Sequence, residues 1–205
     1  MRMIRQGLIE IIGEVWPTII ISSVIAISMR ITYIIKNKKP FIFYKELLSF
    51  VFMIYVLCLF YVVTFQDVGW STSNFIPFKE MLRYKIGSRL FIKNVLGNIV
   101  MFMPYGFFVS YYLDLKKLKS VLLMVLLTSF SIEITQFMIG RVFDIDDIIL
   151  NIVGSVIGFY FYRSLDVINN HLPPILKKPV VNNILIIIFL LLSFLYMFNL
   201  IGLGV

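Results

Sequence analysis

The feature that most constrains this chain is a series of long apolar runs separated by short charged connections. Each run is long enough to cross a bilayer, whose hydrocarbon core of about 30 Å needs roughly 20 helical residues. Lipid cannot hydrogen-bond the backbone, and the runs lack the alternation of barrel strands, so each is predicted to be a helix. The predicted fold is therefore all-α and polytopic. The expected spans lie near residues 15–35, 47–65, 95–113, 120–138, 148–165 and 183–203.

The composition agrees with a membrane protein. Of the 205 residues, 60% are hydrophobic and 15% are charged, whereas a soluble domain has about 25% charged residues. The formal charge of +8 comes from Lys and Arg in short connections, which indicates membrane topology and not nucleic-acid binding. Cys58 and His171 are single residues of their kinds, which excludes an internal disulfide and a zinc site. The first apolar run lacks a small-residue cleavage site, so we expect it to be a retained span.

The distribution of Lys and Arg predicts the orientation. The connections after the first, third and fifth spans contain the larger share of the 19 basic residues. Because cytoplasmic connections are enriched in Lys and Arg, these connections are expected inside the cell. Both termini and the connections 66–94 and 139–147 are then expected outside.

The connection 66–94 contains apolar residues every four positions from Phe78 to Leu90, with basic residues between them. This pattern predicts one interfacial amphipathic helix over 79–93, with a cationic face. The helix either only fills the gap between two spans or binds anions, in which case Lys79 and Arg83 are candidate binding residues.

Polar residues inside predicted spans are costly unless they are paired or solvated. Here they cluster toward one end of three neighbouring spans: Asn94 and Asn98 in the third, Glu133 and Gln136 in the fourth, and Asn151 in the fifth. Arg141, Asp144, Asp146 and Asp147 lie at the connection between the last two. Since those two spans are antiparallel neighbours, the polar groups are predicted to form one pocket at one membrane face, with Arg141 as the partner of Glu133.

Three interpretations of this cluster remain open. The residues could be an ion-pair network that holds the helices together, a binding or catalytic site for a polar headgroup, or an ion path of a transporter. In the second, Glu133, Arg141, Asp144 and Asp147 are the candidate catalytic residues. The carboxylates could also hold a divalent cation such as Mg²⁺. Gly154 and Gly158 form a GxxxG pattern that allows close helix approach and a helix-mediated oligomer.

Four sequence blocks resemble the VanZ-like family. They are Asn74–Lys79, Asn94–Gly106, Ser131–Gln136 and Arg141–Gly158, in the family's order and spacing. The resemblance covers about 55–165, which divides the chain into an N-terminal helix, basic loop and start of the second helix (1–54), a VanZ-like membrane domain (55–165) and a C-terminal loop and helix (166–205).

The resemblance implies a bacterial cytoplasmic membrane protein associated with reduced susceptibility to teicoplanin. It implies action near the outer face on membrane lipids or a lipid-linked wall precursor, without an agreed reaction. The family's polar signature falls on Asn74, Lys79, Asn98, Glu133, Gln136, Arg141, Asp144, Asp147 and Asn151. Of these, Asn74 is assigned by the resemblance alone. Asn74, Asn98, Gln136 and Asn151 are candidate substrate-binding residues.

Overall fold

The computed structural model describes the backbone of residues 2–65 and 73–202 and the side chains of 13–64 and 73–193. Residues 66–72 of the connection 66–94 therefore lie outside the described part. The helices within it are α1 (Arg2–Asn37), α2 (Phe43–Phe65), α3 (Lys79–Arg83), α4 (Arg89–Phe91), α5 (Gly97–Tyr112), α6 (Leu118–Met138), α7 (Ile145–His171) and α8 (Pro179–Gly202). A π-helical segment, Ile92–Leu96, joins α4 to α5.

Five helical segments among the described residues are long and apolar enough to cross a membrane. Large hydrophobic side chains are exposed along them, as contact with lipid tails requires. The prediction of an all-α polytopic membrane protein is confirmed. A further apolar stretch, Pro179–Ser193, lies in α8, where the sixth span was expected. The five segments are Gly13–Asn37, Phe43–Thr64, Phe91–Tyr112, Leu118–Met138 and Ile145–His171.

The predicted amphipathic helix over 79–93 is wrong as a single helix. Helix α3 ends at Arg83 because Tyr84 is extended (φ −84°, ψ 127°). Gly87 then has a positive φ of 79°, which glycine adopts readily because it has no Cβ. The Ser88 hydroxyl accepts a hydrogen bond from the Phe91 N–H and starts a new helix. Two short helical pieces and a turn therefore replace the continuous helix.

Two compact units make up the chain. One contains Met1–Val15 and Tyr55–Val167, and the other contains Trp16–Ile54 and Ile168–Val205. Within the second unit, the Arg30 guanidinium donates two hydrogen bonds to the Glu46 carboxylate, at 2.7 and 2.8 Å. The predicted polar cluster lies within the first unit, on helices α5 to α7 and the segments that precede them.

Small residues bring α7 close to α5 in the first unit. A Cβ placed on Gly154 would collide with the Ile99 carbonyl, and one on Gly158 would collide with the Met103 carbonyl. The GxxxG pattern of α7 therefore packs against a helix of the same chain. The predicted helix-mediated oligomer stays a prediction.

Candidate functional site

A defined turn at the C-terminus of α6 sets the direction of the loop that follows it. Gly140 has a φ of 84°, and its N–H donates to the Phe137 carbonyl at 3.1 Å. The Arg141 N–H donates to the Gln136 carbonyl at 2.9 Å. This is a Schellman motif, in which a left-handed glycine ends the helix and satisfies its last carbonyls. The loop that carries Arg141 and Asp144 therefore begins in a fixed direction.

Asn74 holds that loop against the segment before α3. Its N–H donates to the Phe143 carbonyl at 2.7 Å, and its carbonyl accepts from the Ile145 N–H at 3.0 Å. The two bonds form an isolated parallel bridge between Asn74 and Asp144. The Asn74 side chain is 3% exposed and donates to Asp144 Oδ1 at 2.9 Å. The structure thus gives Asn74 a clear role in positioning the loop.

Asp144 begins α7. Its Oδ1 accepts the Asp146 N–H at 2.9 Å, the hydrogen bond by which an N-cap carboxylate satisfies a free donor of the first turn. Burial raises the pKa of Asp144 above its ordinary value, and the hydrogen bonds from Asn74 and from the Asp146 backbone oppose this rise. The carboxylates of Asp146 and Glu80 raise the pKa further.

Asp146 caps the N-terminus of the short helix α3, although the two lie far apart in the sequence. It is 2% exposed, and its two carboxylate oxygens accept three backbone N–H groups. These come from Phe78 at 2.5 Å, Glu80 at 2.8 Å and Met81 at 3.0 Å. A carboxylate at a helix N-terminus satisfies unpaired N–H groups and interacts favourably with the helix dipole. Sequence reasoning missed this role, because the partners lie 65 to 68 residues earlier.

Glu133 and Asp147 face the same region from α6 and α7. Glu133 is 2% exposed, and its Oε2 accepts the Asp144 N–H at 2.9 Å. Asp147 is partly exposed, and its Oδ1 accepts from Asn98 Nδ2 at 2.5 Å. The two carboxylates interact electrostatically with each other. Three helices therefore contribute to one polar cluster.

Arg141 and Gln136 bind the end of α2. Gln136 Nε2 donates to the Val63 carbonyl at 3.1 Å, and Arg141 Nη1 donates to the same oxygen. Val63 lies in the last turn of α2, where carbonyls lack partners within the helix and carry partial negative charge. Arg141 also interacts electrostatically with Glu133 and Asp147. The direct ion pair of Arg141 with Glu133 stays a prediction.

Asn151 lies one helical turn after Asp147 on α7. Its Nδ2 donates to Ser129 Oγ of α6 at 2.8 Å, and Ser129 lies one turn before Glu133. The Asn151 side chain is 3% exposed, yet its Oδ1 has no hydrogen-bond partner among the described residues. A buried acceptor without a donor costs free energy.

Lys79 and Arg83 lie outside this cluster, on the surface beside it. Both side chains are exposed, and Arg83 pairs with Glu80 at 3.2 Å. Other exposed cations and exposed hydrophobic side chains follow along residues 79–93, here called the basic segment. Its cations are Lys79, Arg83, Lys85, Arg89 and Lys93, and its exposed apolar residues are Leu82, Ile86, Leu90 and Ile92.

Comparison with known proteins places the chain in a family. A family model described as VanZ/LLP1 matches residues 52–169, which is more than half of the chain. The chain belongs to the VanZ/LLP1 family. Searches of curated proteins and of solved structures gave no significant match. The match contains all of the predicted site residues, and it confirms the family resemblance found in the sequence.

The described carboxylates of this VanZ/LLP1 protein are not arranged as a metal site. Among the described side chains, no group of three or more His, Cys, Asp or Glu residues is placed to hold a metal ion. Both Asp146 oxygens accept N–H groups, and Asp144 Oδ1 accepts two donors. These oxygens already accept hydrogen bonds. A Mg²⁺ ion that bound them would leave the donating N–H groups without an acceptor.

Proposed function

We propose that this VanZ/LLP1 protein is a multi-pass protein of the bacterial cytoplasmic membrane that binds a lipid headgroup at the outer face. The headgroup belongs to an anionic lipid or a lipid-linked cell-wall precursor. Its binding lowers the sensitivity of the cell to teicoplanin-type glycopeptides. Family membership supports the membrane setting, and the polar cluster supports the headgroup.

The observation that carries this proposal is the gathering of Glu133, Asp147 and Asn98 at one end of three helices. A charged side chain within a membrane helix costs about 2.5–3.5 kcal/mol on insertion scales. Intramembrane ionisable residues that persist despite this cost commonly mark a ligand or ion path. The groups here occupy one end of the bundle and do not run along it, which favours a headgroup over a path across the bilayer.

The basic segment supplies the attraction for an anionic lipid. Exposed cations alternating with exposed apolar side chains are typical of segments that lie at a membrane surface. Near an anionic surface, each Lys or Arg contributes about 1 kcal/mol. The segment begins at Lys79, between residues whose N–H groups bind Asp146. The backbone around Lys79, the first of its cations, therefore lies against Asp146, which precedes Asp147 on α7.

The test is drug susceptibility of a Gram-positive host that expresses the chain. Glu133→Gln and Asp147→Asn preserve the shape of each side chain and remove its charge. We expect each variant to return the inhibitory concentration of teicoplanin to that of cells without the protein. Asp114→Asn, in the exposed connection after α5, is the matched control and should protect like the original chain. Full protection by both site variants at normal membrane levels would reject the proposal.

Arg141→Ala is a less informative variant. It removes the hydrogen bond to the Val63 carbonyl together with the positive charge near Glu133. A loss of protection could then follow from a weakened α2 terminus alone.

The second candidate is a non-catalytic scaffold in which the cluster only holds the helices together. It is favoured by the local partners of Asn74, Asp144 and Asp146, which bind neighbouring backbone groups. Thermal melting in detergent separates the two functions. In a scaffold, Glu133→Gln lowers the melting temperature and the protection together. In a headgroup site, the variant melts close to the original chain and loses protection.

A further inference from the structure

Four side chains, Asn98, Glu133, Asp147 and Asn151, form what we call the acceptor cluster. Glu133 Oε2 and Asp147 Oδ1 each accept one hydrogen bond. Asn151 Oδ1 is buried and accepts no hydrogen bond within the described part of the chain. The cluster therefore combines two carboxylates, which both interact electrostatically with Arg141, with a buried amide oxygen that has no donor among those residues.

The unpaired Asn151 oxygen belongs to the same interface as the two carboxylates. Asn151 follows Asp147 by four residues on α7, and its partner Ser129 precedes Glu133 by four residues on α6. Residues four apart lie on the same face of a helix. The Asn151–Ser129 hydrogen bond therefore spans α6 and α7 one turn deeper than the Glu133–Asp147 pair. Asn151, which is 3% exposed, therefore contributes the deepest acceptor of the cluster.

The charge and the hydrogen-bond acceptors of the cluster favour one chemical class of ligand. Ionised carboxylates repel a phosphate and attract a positive charge. Carboxylate and amide oxygens that lack donors are satisfied by a group with several N–H bonds. A primary ammonium has one positive charge and three N–H donors, whereas a quaternary ammonium has the charge and no donor. Asp147 and Asn98, in the first turns of α7 and α5, are the partly exposed members of the cluster.

The basic segment provides the complementary half of a zwitterionic ligand. Asp146, adjacent to Asp147, binds the backbone of Phe78 and Glu80 on either side of Lys79. Lys79 is exposed. The backbone on either side of Lys79 is thus bound to Asp146, the residue that precedes Asp147 of the acceptor cluster.

We propose that the acceptor cluster binds the primary ammonium of an aminophospholipid headgroup while cations of the basic segment bind its phosphate. This inference rests on the proposed headgroup binding and goes beyond it. The phosphate is the anionic part of the headgroup, and the primary ammonium makes a lipid such as phosphatidylethanolamine zwitterionic. It assigns Asp147 and Glu133 to the positive end of the headgroup and Asn151 to one of its N–H groups.

The experiment measures which phospholipid stays bound to the full chain. The protein is purified in mixed micelles with equal amounts of phosphatidylethanolamine, phosphatidylcholine and phosphatidylglycerol of identical acyl chains, and retained lipid is quantified by native mass spectrometry. We expect phosphatidylethanolamine to be retained about tenfold over phosphatidylcholine, a difference of about 1.4 kcal/mol. Asp147→Asn and Asn151→Ala should abolish this preference. Asp114→Asn should keep it.

A second series needs no variant and therefore does not depend on how a variant folds. Mono-, di- and trimethylated phosphatidylethanolamine have the same charge and progressively fewer N–H donors. Retention should fall with each methyl group. Equal retention across the series would overturn the inference, because charge alone would then explain binding.

The lipid mixture also distinguishes a failure of the ammonium site from a failure of the proposed function. Selective retention of phosphatidylglycerol, with no preference for phosphatidylethanolamine, would overturn the ammonium site and leave an anionic-lipid function in place. Retention of none of the three lipids, together with unchanged teicoplanin susceptibility in Glu133→Gln and Asp147→Asn, would reject the proposed function itself.

Discussion

Asp146 illustrates at the scale of one residue how a buried charge can serve the fold. Its carboxylate accepts three N–H groups from the start of α3 and is 2% exposed. Removing it leaves three backbone N–H donors at the start of α3 without their acceptor. We expect Asp146→Ala to lower the free energy of unfolding by about 3 kcal/mol. Asp146→Asn keeps one acceptor oxygen and should lose roughly half as much.

Unfolding of the purified protein in detergent, followed by circular dichroism, measures these losses. Asp114→Asn is the control, because that side chain is 68% exposed where it pairs with Lys116. An Asp146→Ala protein as stable as the control would show that α3 does not depend on this carboxylate.

Asp144 predicts a pH dependence of stability. Burial raises the pKa of Asp144 in the folded protein, so its ionised form is favoured in the unfolded chain. Its contribution to stability is therefore greatest below the ordinary pKa of an aspartate and falls as pH rises from that value to the folded pKa. Asp144→Asn retains an oxygen acceptor and removes the titration.

The measurement for Asp144 is the difference in stability between Asp144→Asn and the original chain, taken from pH 3.5 to 8. This difference should shift in favour of the variant as the pH rises through the window. A difference that stays constant across the range would contradict the raised pKa.

Single residues could be predicted from the sequence where their position in the membrane would cost free energy. Glu133 and Asn98 stood out because polar groups are expensive in a span, and Asp147 because it lies in the connection next to Glu133. The roles of Asp146 and Val63 were not predictable, since each depends on partners more than 60 residues away. Asn74 was found only through the family's motif, because a polar residue in a connection has no cost to reveal it.

At the scale of elements, the membrane helices were predictable because their apolar runs are long and ended by charged or turn residues. The amphipathic segment was not. Its four-residue periodicity continues through Tyr84 to Ser88, where local backbone geometry breaks the helix. Periodicity reports which side chains share a face, while Gly87 and the Ser88 cap decide whether the backbone stays helical.

The packing of α5 against α7 depends on glycines. Gly154→Ala places a methyl group against the Ile99 carbonyl, which is backbone and cannot move aside as a flexible side chain can. We expect the variant to lose about 1–3 kcal/mol of stability. Gly97→Ala on α5 is the matched control, because its new Cβ would lie 3.7 Å from the nearest atom, the Ile92 carbonyl oxygen, an ordinary contact. Thermal melting of both proteins in the same detergent tests this prediction, and equal melting temperatures would contradict it.

At the scale of the whole molecule, the sequence determined the class of protein and its family, because both depend on properties summed over many residues. For the site, the sequence predicted which residues lie near one another, but not the hydrogen bonds that they form. Antiparallel spans bring Glu133 and Asp147 to the same end by construction. The hydrogen bonds that separate structural carboxylates from the acceptor cluster depend on the exact path of two connections, which no periodicity specifies.

Orientation is a property of the whole molecule, and the headgroup proposal requires the basic segment to face outward. The connections expected inside contain more Lys and Arg, which favours their retention in the cytoplasm. We replace Cys58 with alanine and introduce one cysteine at an exposed position, Lys85→Cys or Lys117→Cys. A maleimide that cannot cross the membrane should label Lys85→Cys in intact cells and Lys117→Cys only after permeabilisation. The reverse pattern would place the acceptor cluster at the cytoplasmic face and remove its access to wall precursors outside.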